Sequence, residues 1–312
     1  MNLRFVEAFY WVASLKSISR AAEKLFLTQS AMSSRIATLE EELGVLLLDR
    51  SDKRFKLTGA GTRFLVHANK LLELQREAKA EMGSGVAVAV SMRIGAIESV
   101  LHSWLIPWLE QLRIEQPQLE LDLTVETTPI LTEQVQRGTL DLAFAVLPAS
   151  ADGVRNHALP PMDMVFVGHP DLHRKKKYHL GDLAEMELLT FQKGSQPNIT
   201  LLDLFRQHRM QPKKVHAISS ISAMVQLVQS GFGVALLPRA AVARLTGLAA
   251  LKMLECDVHV QALPIHASYR SDPSSNTIET VVKSAIAFVE ARSTTPKKAI
   301  KGKPLSSKKS MI

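Results

Sequence analysis

Four hydrogen-bonding side chains, Gln29, Ser30, Ser33 and Ser34, fall within one short run of the chain. A glutamine amide offers a donor and an acceptor side by side, and a serine hydroxyl serves as either. Gathered on one helical face, such groups match the edges of nucleic-acid bases, and glutamine pairs well with adenine. A second cluster lies downstream, where Arg50, Lys53, Arg54 and Lys56 crowd into residues 49–57. Cations of that density suit phosphates, whose contacts fix a protein on a duplex without reporting its sequence. A third set is scattered: Glu98-Ser99, Thr127-Thr128, the run from Ser195 to Thr200, and Ser219-Ser220 each sit where a strand gives way to a helix. Hydroxyls beside unpaired helix amides suit a small anion.

The first set needs a helix to hold it. At about 100° per residue, Met32, Ile36, Leu39 and Leu43 fall within roughly 60° of one another and make a buried stripe. Ser30, Ser34 and Ala37 lie opposite, with Ser33 beside them. Thr28 stands where an N-cap is wanted, its hydroxyl placed for an orphan first-turn amide. A shorter helix, 19–25, precedes it with the small pair Ala21-Ala22, and Leu25 and Leu27 close the corner. Residues 17–48 therefore read as a helix-turn-helix, although the spacing by itself also fits any helical hairpin with a polar outer face. Phe5, Phe9 and Val12 predict an amphipathic helix beneath it. The basic cluster reads as a short strand pair with a charged turn, a wing. Thr58 then caps a long helix to residue 82, in which Phe64, Ala68, Leu71, Gln75, Ala78 and Met82 recur at helical spacing, widened by Leu65 and Leu72. A helix of that length between two domains must bury its stripe, either on a second copy of the chain or on its own.

The ordered residues Ser19-Arg20-Ala21-Ala22-Glu23-Lys24-Leu25, Thr28-Gln29-Ser30-Ala31-Met32-Ser33, Ile36, Leu39-Glu40, Leu43-Gly44, Asp49-Arg50 and Leu57-Thr58-Gly59-Ala60-Gly61 resemble the N-terminal domain of LysR-type transcriptional regulators. Ser30 stands where proline is commoner, adding a hydroxyl, and Leu48 where phenylalanine is usual. The resemblance implies an all-α winged helix-turn-helix at 1–58, with Gln29, Ser30, Ser33 and Ser34 at base edges. Thr28, Arg35, Arg50, Arg54, Lys56 and Thr58 would contact phosphates or the minor groove. It also implies a linker at 59–85, with a hinge at Gly83-Ser84-Gly85, that forms a dimer contact. A homodimer or homotetramer would then present two recognition helices to a partly palindromic promoter site on double-stranded DNA. RNA polymerase is a further partner open to such a regulator.

Beyond residue 86 the pattern alternates between strand and helix, which argues for mostly parallel sheets covered by helices. Strands are expected at 86–96 and 119–125 around a helix at 101–115, and 140–146 is a nearly continuous apolar run. Residues 164–168 open a second set, and a strand at 265–269 with a helix at 275–292 closes the fold. The segments Gly138-Thr139-Leu140-Asp141-Leu142-Ala143, His169-Pro170 and Ser230-Gly231-Phe232-Gly233 resemble the two-lobed, periplasmic-binding-protein-like α/β effector domain of the same family. The effector-binding domain is placed at 86–293, with lobe I at 91–162 plus 268–292 and lobe II at 163–267. Ligands of open α/β sheets sit outside the carboxyl ends of the strands. Ser99, Thr128, Ser195 and Asn198 are therefore expected to contact a small anionic or polar effector between the lobes.

Composition sets limits. The chain has 312 residues, 46% hydrophobic and 22% charged, which is ordinary for a globular protein of two or three domains. Its single cysteine, Cys256, excludes an internal disulfide. No window reads as a transmembrane helix or a signal peptide, so a cytoplasmic location is expected. The net charge is +8, but residues 293–312 hold six lysines and no acid, and residues 1–58 carry only +2. Global basicity thus says little about DNA, and the 294–312 tail is expected to be disordered. His169, His173 and His179 lie in a proline-broken stretch, and Cys256-Asp257-Val258-His259 has no second ligand cluster nearby, so neither metal nor cofactor is expected. Gly59-Ala60-Gly61 lacks the third glycine of a dinucleotide fingerprint, and no P-loop, nucleophile elbow or zincin pattern occurs, so no enzyme is expected. Two alternatives to a regulator stay open: a solute-binding α/β protein or enzyme with an incidental N-terminal hairpin, and a weakly specific DNA-architectural protein acting through the tail.

Overall fold

The computed structural model describes residues 1–49, 55–82, 90–245 and 250–293. Three helices, α1 (Leu3–Leu15), α2 (Ile18–Lys24) and α3 (Gln29–Leu43), open the chain. Each begins on a capping side chain: Asn2 accepts from the Arg4 amide at 2.9 Å, Ser17 from Arg20 at 3.3 Å, and Thr28 from Ala31 at 3.2 Å. These bonds satisfy amides that have no partner within the helix. Val6, Phe9, Trp11 and Val12 of α1 meet Met32, Ile36 and Leu39 of α3 in one buried core, and Leu43 packs at its margin. The wing follows as β1 (Leu48–Asp49) antiparallel to β2 (Lys56–Leu57). Its turn, with Arg50, Lys53 and Arg54, lies outside the described residues. Glu40, buried on α3, accepts from the amides of Leu47 at 2.8 Å and Leu48 at 3.0 Å, which ties the recognition helix to the start of the wing.

Helix α4 (Gly59–Glu81) begins on Thr58, whose hydroxyl accepts from Gly61 N at 2.9 Å and donates to Leu46 O at 2.6 Å. The first half of the expected stripe packs within the chain, and Ala78 and Met82 of its second half are exposed. Ala68 and Leu72 are fully buried, Leu71 packs against the same core, and the Phe64 ring lies 5.4 Å from that of Phe9. The reason is proximity: α1 leaves an apolar groove that the start of α4 reaches without the entropy loss of association. Val66 and Leu74 are the large apolar side chains of α4 that stay exposed, and Met82, just past its end, is exposed as well. Gly83-Ser84-Gly85 and the lysine tail lie outside the described residues.

The remainder forms two five-stranded sheets. In chain order the elements are β3 (Val90–Ala96), α5 (Glu98–Val100), a π-helical turn (Leu101–Leu105), α6 (Ile106–Glu115), β4 (Leu119–Val125), α7 (Thr128–Arg137), β5 (Leu142–Ala145), β6 (Val154–Met162), β7 (Met164–Gly168), α8 (Leu180–Ala184), β8 (Glu187–Thr190), α9 (Gln196–Gln207), β9 (Lys214–Ala217), α10 (Ile221–Gln229), β10 (Val234–Pro238), α11 (Arg239–Leu245), β11 (Lys252–Met253), β12 (Leu263–Arg270) and α12 (Thr277–Ser293). The lobe I sheet runs β4-β3-β5-β12-β6 and the lobe II sheet β11-β7-β10-β8-β9. Both are mixed rather than mostly parallel: β12 is antiparallel to β5 and β6, and β7 to β10 and β11. The expected lobe boundary at 267/268 cuts through β12, which pairs in lobe I from Leu263↔Met162 onward. The return to lobe I therefore precedes Leu263. Its inward side chains Leu263, Ile265 and Ala267 alternate at strand period and belong to that sheet throughout.

Gly61 marks the closest approach of α4 to the wing, since a Cβ there would stand 2.1 Å from the Leu47 carbonyl oxygen. Neither backbone can yield cheaply, so Gly61→Ala should lower stability by about 2–4 kcal/mol, read as a shifted urea midpoint by Trp fluorescence.

Candidate DNA-reading face and effector cleft

Helix α3 presents the expected reading groups to solvent. Gln29, Ser30 and Ser34 are exposed and Ser33 is half-buried beside them, opposite Met32, Ile36 and Leu39. Before any duplex is met, Gln29 Oε1 accepts from Ser19 Oγ at 3.2 Å, and the hydroxyls of Thr28 and Ser30 lie 3.0 Å apart. Gln29 and Ser30 thus already have hydrogen-bonding partners within the domain. Arg35 is half-buried and Lys56 exposed on the same domain. Thr58 is engaged with backbone on both sides as described, and Arg50 and Arg54 lie outside the described residues.

Between the two sheets lies a cavity of about 660 Å³. All four strand-to-helix junctions reach it: Glu98 and Ser99, Thr127 and Thr128, Ser195, and Ser219 and Ser220 line its wall, with Phe191 and Lys193 beside them. The N-cap residues of α7 and α9, Thr127 and Ser195, make no capping side-chain bond. The Ser195 hydroxyl is buried and has no hydrogen-bond partner among the described residues. Two helix N-termini, one from each lobe, therefore face the cavity with amides uncapped, an arrangement that favours negative charge. The third, α10, is already served: Ser220 caps it, and Glu98 of lobe I accepts from Ile221 N of lobe II at 2.6 Å. Thr128 Oγ1 accepts from Val146 N at 3.3 Å. Asn198 is the exception among the expected contacts. It belongs to the buried stripe of α9 with Pro197, Leu201, Leu204 and Phe205, and its Oδ1 accepts from Gly194 N at 3.3 Å, so it supports the loop from below rather than lining the cavity.

Helix α7 leads from this cavity to the DNA-binding domain. Its cap, Gly138 at φ 74°, lies against Leu15 of α1, where a Cβ would stand 2.7 Å from Leu15 Cδ2. Arg270, 6% exposed, donates to the last carbonyls of α7, Val135 O at 3.0 Å and Gln136 O at 2.6 Å, and to Ser14 Oγ of α1 at 3.2 Å. Asp141 completes the contact. Its carboxylate accepts from the Arg93 amide at 2.9 Å and the Arg93 guanidinium at 2.9 and 3.2 Å, and from the ammonium of Lys24 on α2. Burial by itself would raise the Asp141 pKa, but the Arg93 hydrogen bonds and the Lys24 charge outweigh it and hold the group below the usual carboxylate range. Glu7 is the opposite case, pushed up by burial and by Asp272 across the interface. Nothing in the local sequence signals these contacts, because each joins residues far apart in the chain.

A winged helix-turn-helix with an exposed polar face, joined to two sheets around a ligand-sized cavity, defines a ligand-responsive DNA-binding regulator. Residues 3–62 match the family model for the bacterial regulatory helix-turn-helix protein of the lysR family, and residues 89–288 that for the LysR substrate binding domain. The HTH-type transcriptional regulator BenM of Acinetobacter baylyi is 30% identical over 246 residues, spanning 76% of this chain and 80% of BenM. A crystal structure of a full-length BenM variant covers 95% of this chain and 98% of its own at 26% identity and a TM-score of 0.55. Full-length CbnR bound to its target DNA covers 93% and 100% at 21% identity and a TM-score of 0.55, a likeness of fold. The chain belongs to the LysR family of transcriptional regulators. It is a regulator that binds DNA through its helix-turn-helix and an effector through its two-lobed domain, and proteins of this family act as oligomers. That membership sets aside both the incidental hairpin and the architectural protein. Among the described residues no helix is long and apolar enough to cross a membrane.

The Asp141 contact has a sign in pH. A carboxylate whose pKa falls on folding contributes its full stability above its unfolded value, near 3.8, and loses it as pH drops through the folded one. Asp141→Asn should therefore cost about 3 kcal/mol at pH 7, with the gap from wild type narrowing below about pH 4 in urea titrations at stepped pH.

Proposed function

We propose that the chain is a cytoplasmic, non-enzymatic repressor or activator that reads a partly palindromic promoter as a homodimer or homotetramer. Gln29, Ser30, Ser33 and Ser34 read base edges, and Thr28, Arg35, Arg50, Arg54, Lys56 and Thr58 hold phosphates or the minor groove. The observation that carries the reading is the exposed, hydrogen-bonding side of α3 backed by a fully apolar stripe. The groups on that face, Gln29, Ser30, Ser33 and Ser34, are all neutral, so in this reading specificity rests on neutral groups. On a duplex enriched from a random-sequence library by the wild-type chain, Ser33→Ala/Ser34→Ala should bind about 10–100-fold more weakly, while weak binding to a scrambled duplex persists. Equal losses on both duplexes in a gel shift would assign the serines to the backbone instead.

The effector in this reading is a small anionic or polar molecule held by Ser99, Thr128 and Ser195. Its anionic group lies between the uncapped N-termini of α7 and α9, and the domain limits are those given above with lobe I resuming before Leu263. Helix α7 supports a direct route to DNA within one chain, because its first turn lines the cavity and its last turn meets α1 and, through Asp141, α2. Ten residues make it about 15 Å long, rigid enough to carry a displacement from end to end. Coupling of this kind is reciprocal, so it can be tested before any effector is known. Binding of the enriched duplex should change hydrogen exchange at residues 127–131. Lys24→Met, which cuts α2 from Asp141, should abolish that change while duplex affinity stays within about threefold. Exchange at 127–131 that ignores the duplex in wild type would remove the route.

A further inference from the structure

The turn between α2 and α3 closes through two backbone hydrogen bonds, Phe26 N to Glu23 O at 3.2 Å and Leu27 N to Ala22 O at 2.8 Å. That double closure forces the residue after the helix cap into left-handed backbone, a place that glycine fills because it has no Cβ to clash. Here it is phenylalanine, at φ 54°. The ring gains nothing from the fold in exchange. It is 76% exposed, while Leu25 and Leu27 on either side pack against the core. Thus the backbone is held against its preference and a large apolar side chain is held in water, at one residue. Strain of this kind concentrates where a side chain serves something outside the folded chain.

Position identifies the partner. Phe26 precedes Gln29 by three residues, so its Cα lies within about 11 Å of the Cα of the first reading residue. The major groove that admits a helix is about 12 Å wide. With the start of α3 in the groove, an exposed side chain no farther away than that has the groove wall, where deoxyribose and phosphate run, within its reach. An aromatic ring offers phosphate no hydrogen-bond donor, but it matches the apolar face of a deoxyribose. The Schellman closure fixes the backbone that carries the ring, so little freedom is lost when it seats.

We propose that Phe26 is a positioning residue for DNA binding, whose ring packs on deoxyribose at the groove wall and sets how deeply α3 enters. The contact rests on the DNA-reading role of α3 and adds to affinity equally for every sequence. It also makes this turn a point where stability and DNA affinity oppose each other.

The test uses the full chain, the duplex enriched by wild type and a scrambled duplex. Phe26→Gly should melt about 2–4 °C higher, because glycine relieves the left-handed residue. It should bind both duplexes about 10-fold more weakly. The slope of log affinity against log salt should not change, because no phosphate charge is given up. Phe26→Leu keeps an apolar side chain and should stay within about threefold of wild type. A glycine variant that binds both duplexes within about twofold of wild type would overturn the proposal. So would a loss confined to the enriched duplex, a shallower salt slope, or a lowered melting temperature. If the wild-type chain enriches no sequence at all, the DNA-reading role of α3 fails first and takes this proposal with it.

Discussion

Asp141 is a buried carboxylate that two cations from separate parts of the molecule must neutralise together. Arg93, on the neighbouring strand of lobe I, supplies a backbone amide and a forked guanidinium, while Lys24 reaches over from the DNA-binding domain. A charge in such a place is costly unless fully paired, so the site is complete only when the two domains are in contact. Lys24 has a second reason to stay, since its ammonium lies 4.9 Å from the centre of the Trp11 ring. Around this point the other contacts fall into place: Leu15 on the bare face of Gly138, Arg270 on Ser14, and the hydroxyl of Tyr10 on Ser271 O at 3.3 Å. Tyr10, pressed by burial and by Asp272, has its pKa pushed up to about 12 and stays a neutral donor.

What the sequence made legible follows one rule: signals with a local period survive, and signals that need two distant segments do not. The stripe of Met32, Ile36 and Leu39 and the cap at Thr28 are local, and they stand where the sequence puts them, whereas the cap at Ser17 begins the shorter helix one residue before the expected start. Ser99, Thr128 and Ser195 were reachable because strand-to-helix junctions gather at one edge of an α/β sheet. Asn198 fails for a reason visible in retrospect, since Asn198, Leu201 and Phe205 follow the spacing of an inward stripe. Strand β6 is not legible because it carries Pro160 and Pro161, which are tolerated only because β6 lies at the edge of its sheet. Its neighbour β12 is a strand by alternation, yet only pairing with β5 and β6 reveals that it belongs to lobe I.

Helix α4 illustrates the same limit in energetic terms. Its apolar period predicts that something covers the helix, and says nothing of what. Phe64, Ala68 and Leu72 have a partner in α1 of the same chain, while Val66, Leu74 and Met82 stay open to solvent in the single chain.

The place of β12 carries a consequence for how the protein is made. It lies between β5 and β6, yet it is encoded after the whole of lobe II, so when residue 262 leaves the ribosome the first sheet still lacks the strand that joins β6 to the rest. The DNA-binding domain faces no such delay, since its core closes within the first 72 residues. Its docking partners Arg270, Ser271 and Asp272 come after the whole of lobe II. During synthesis, a finished DNA reader therefore precedes the sensor that governs it, and the contact at Ser14 and Tyr10 forms only after all of lobe II has been made.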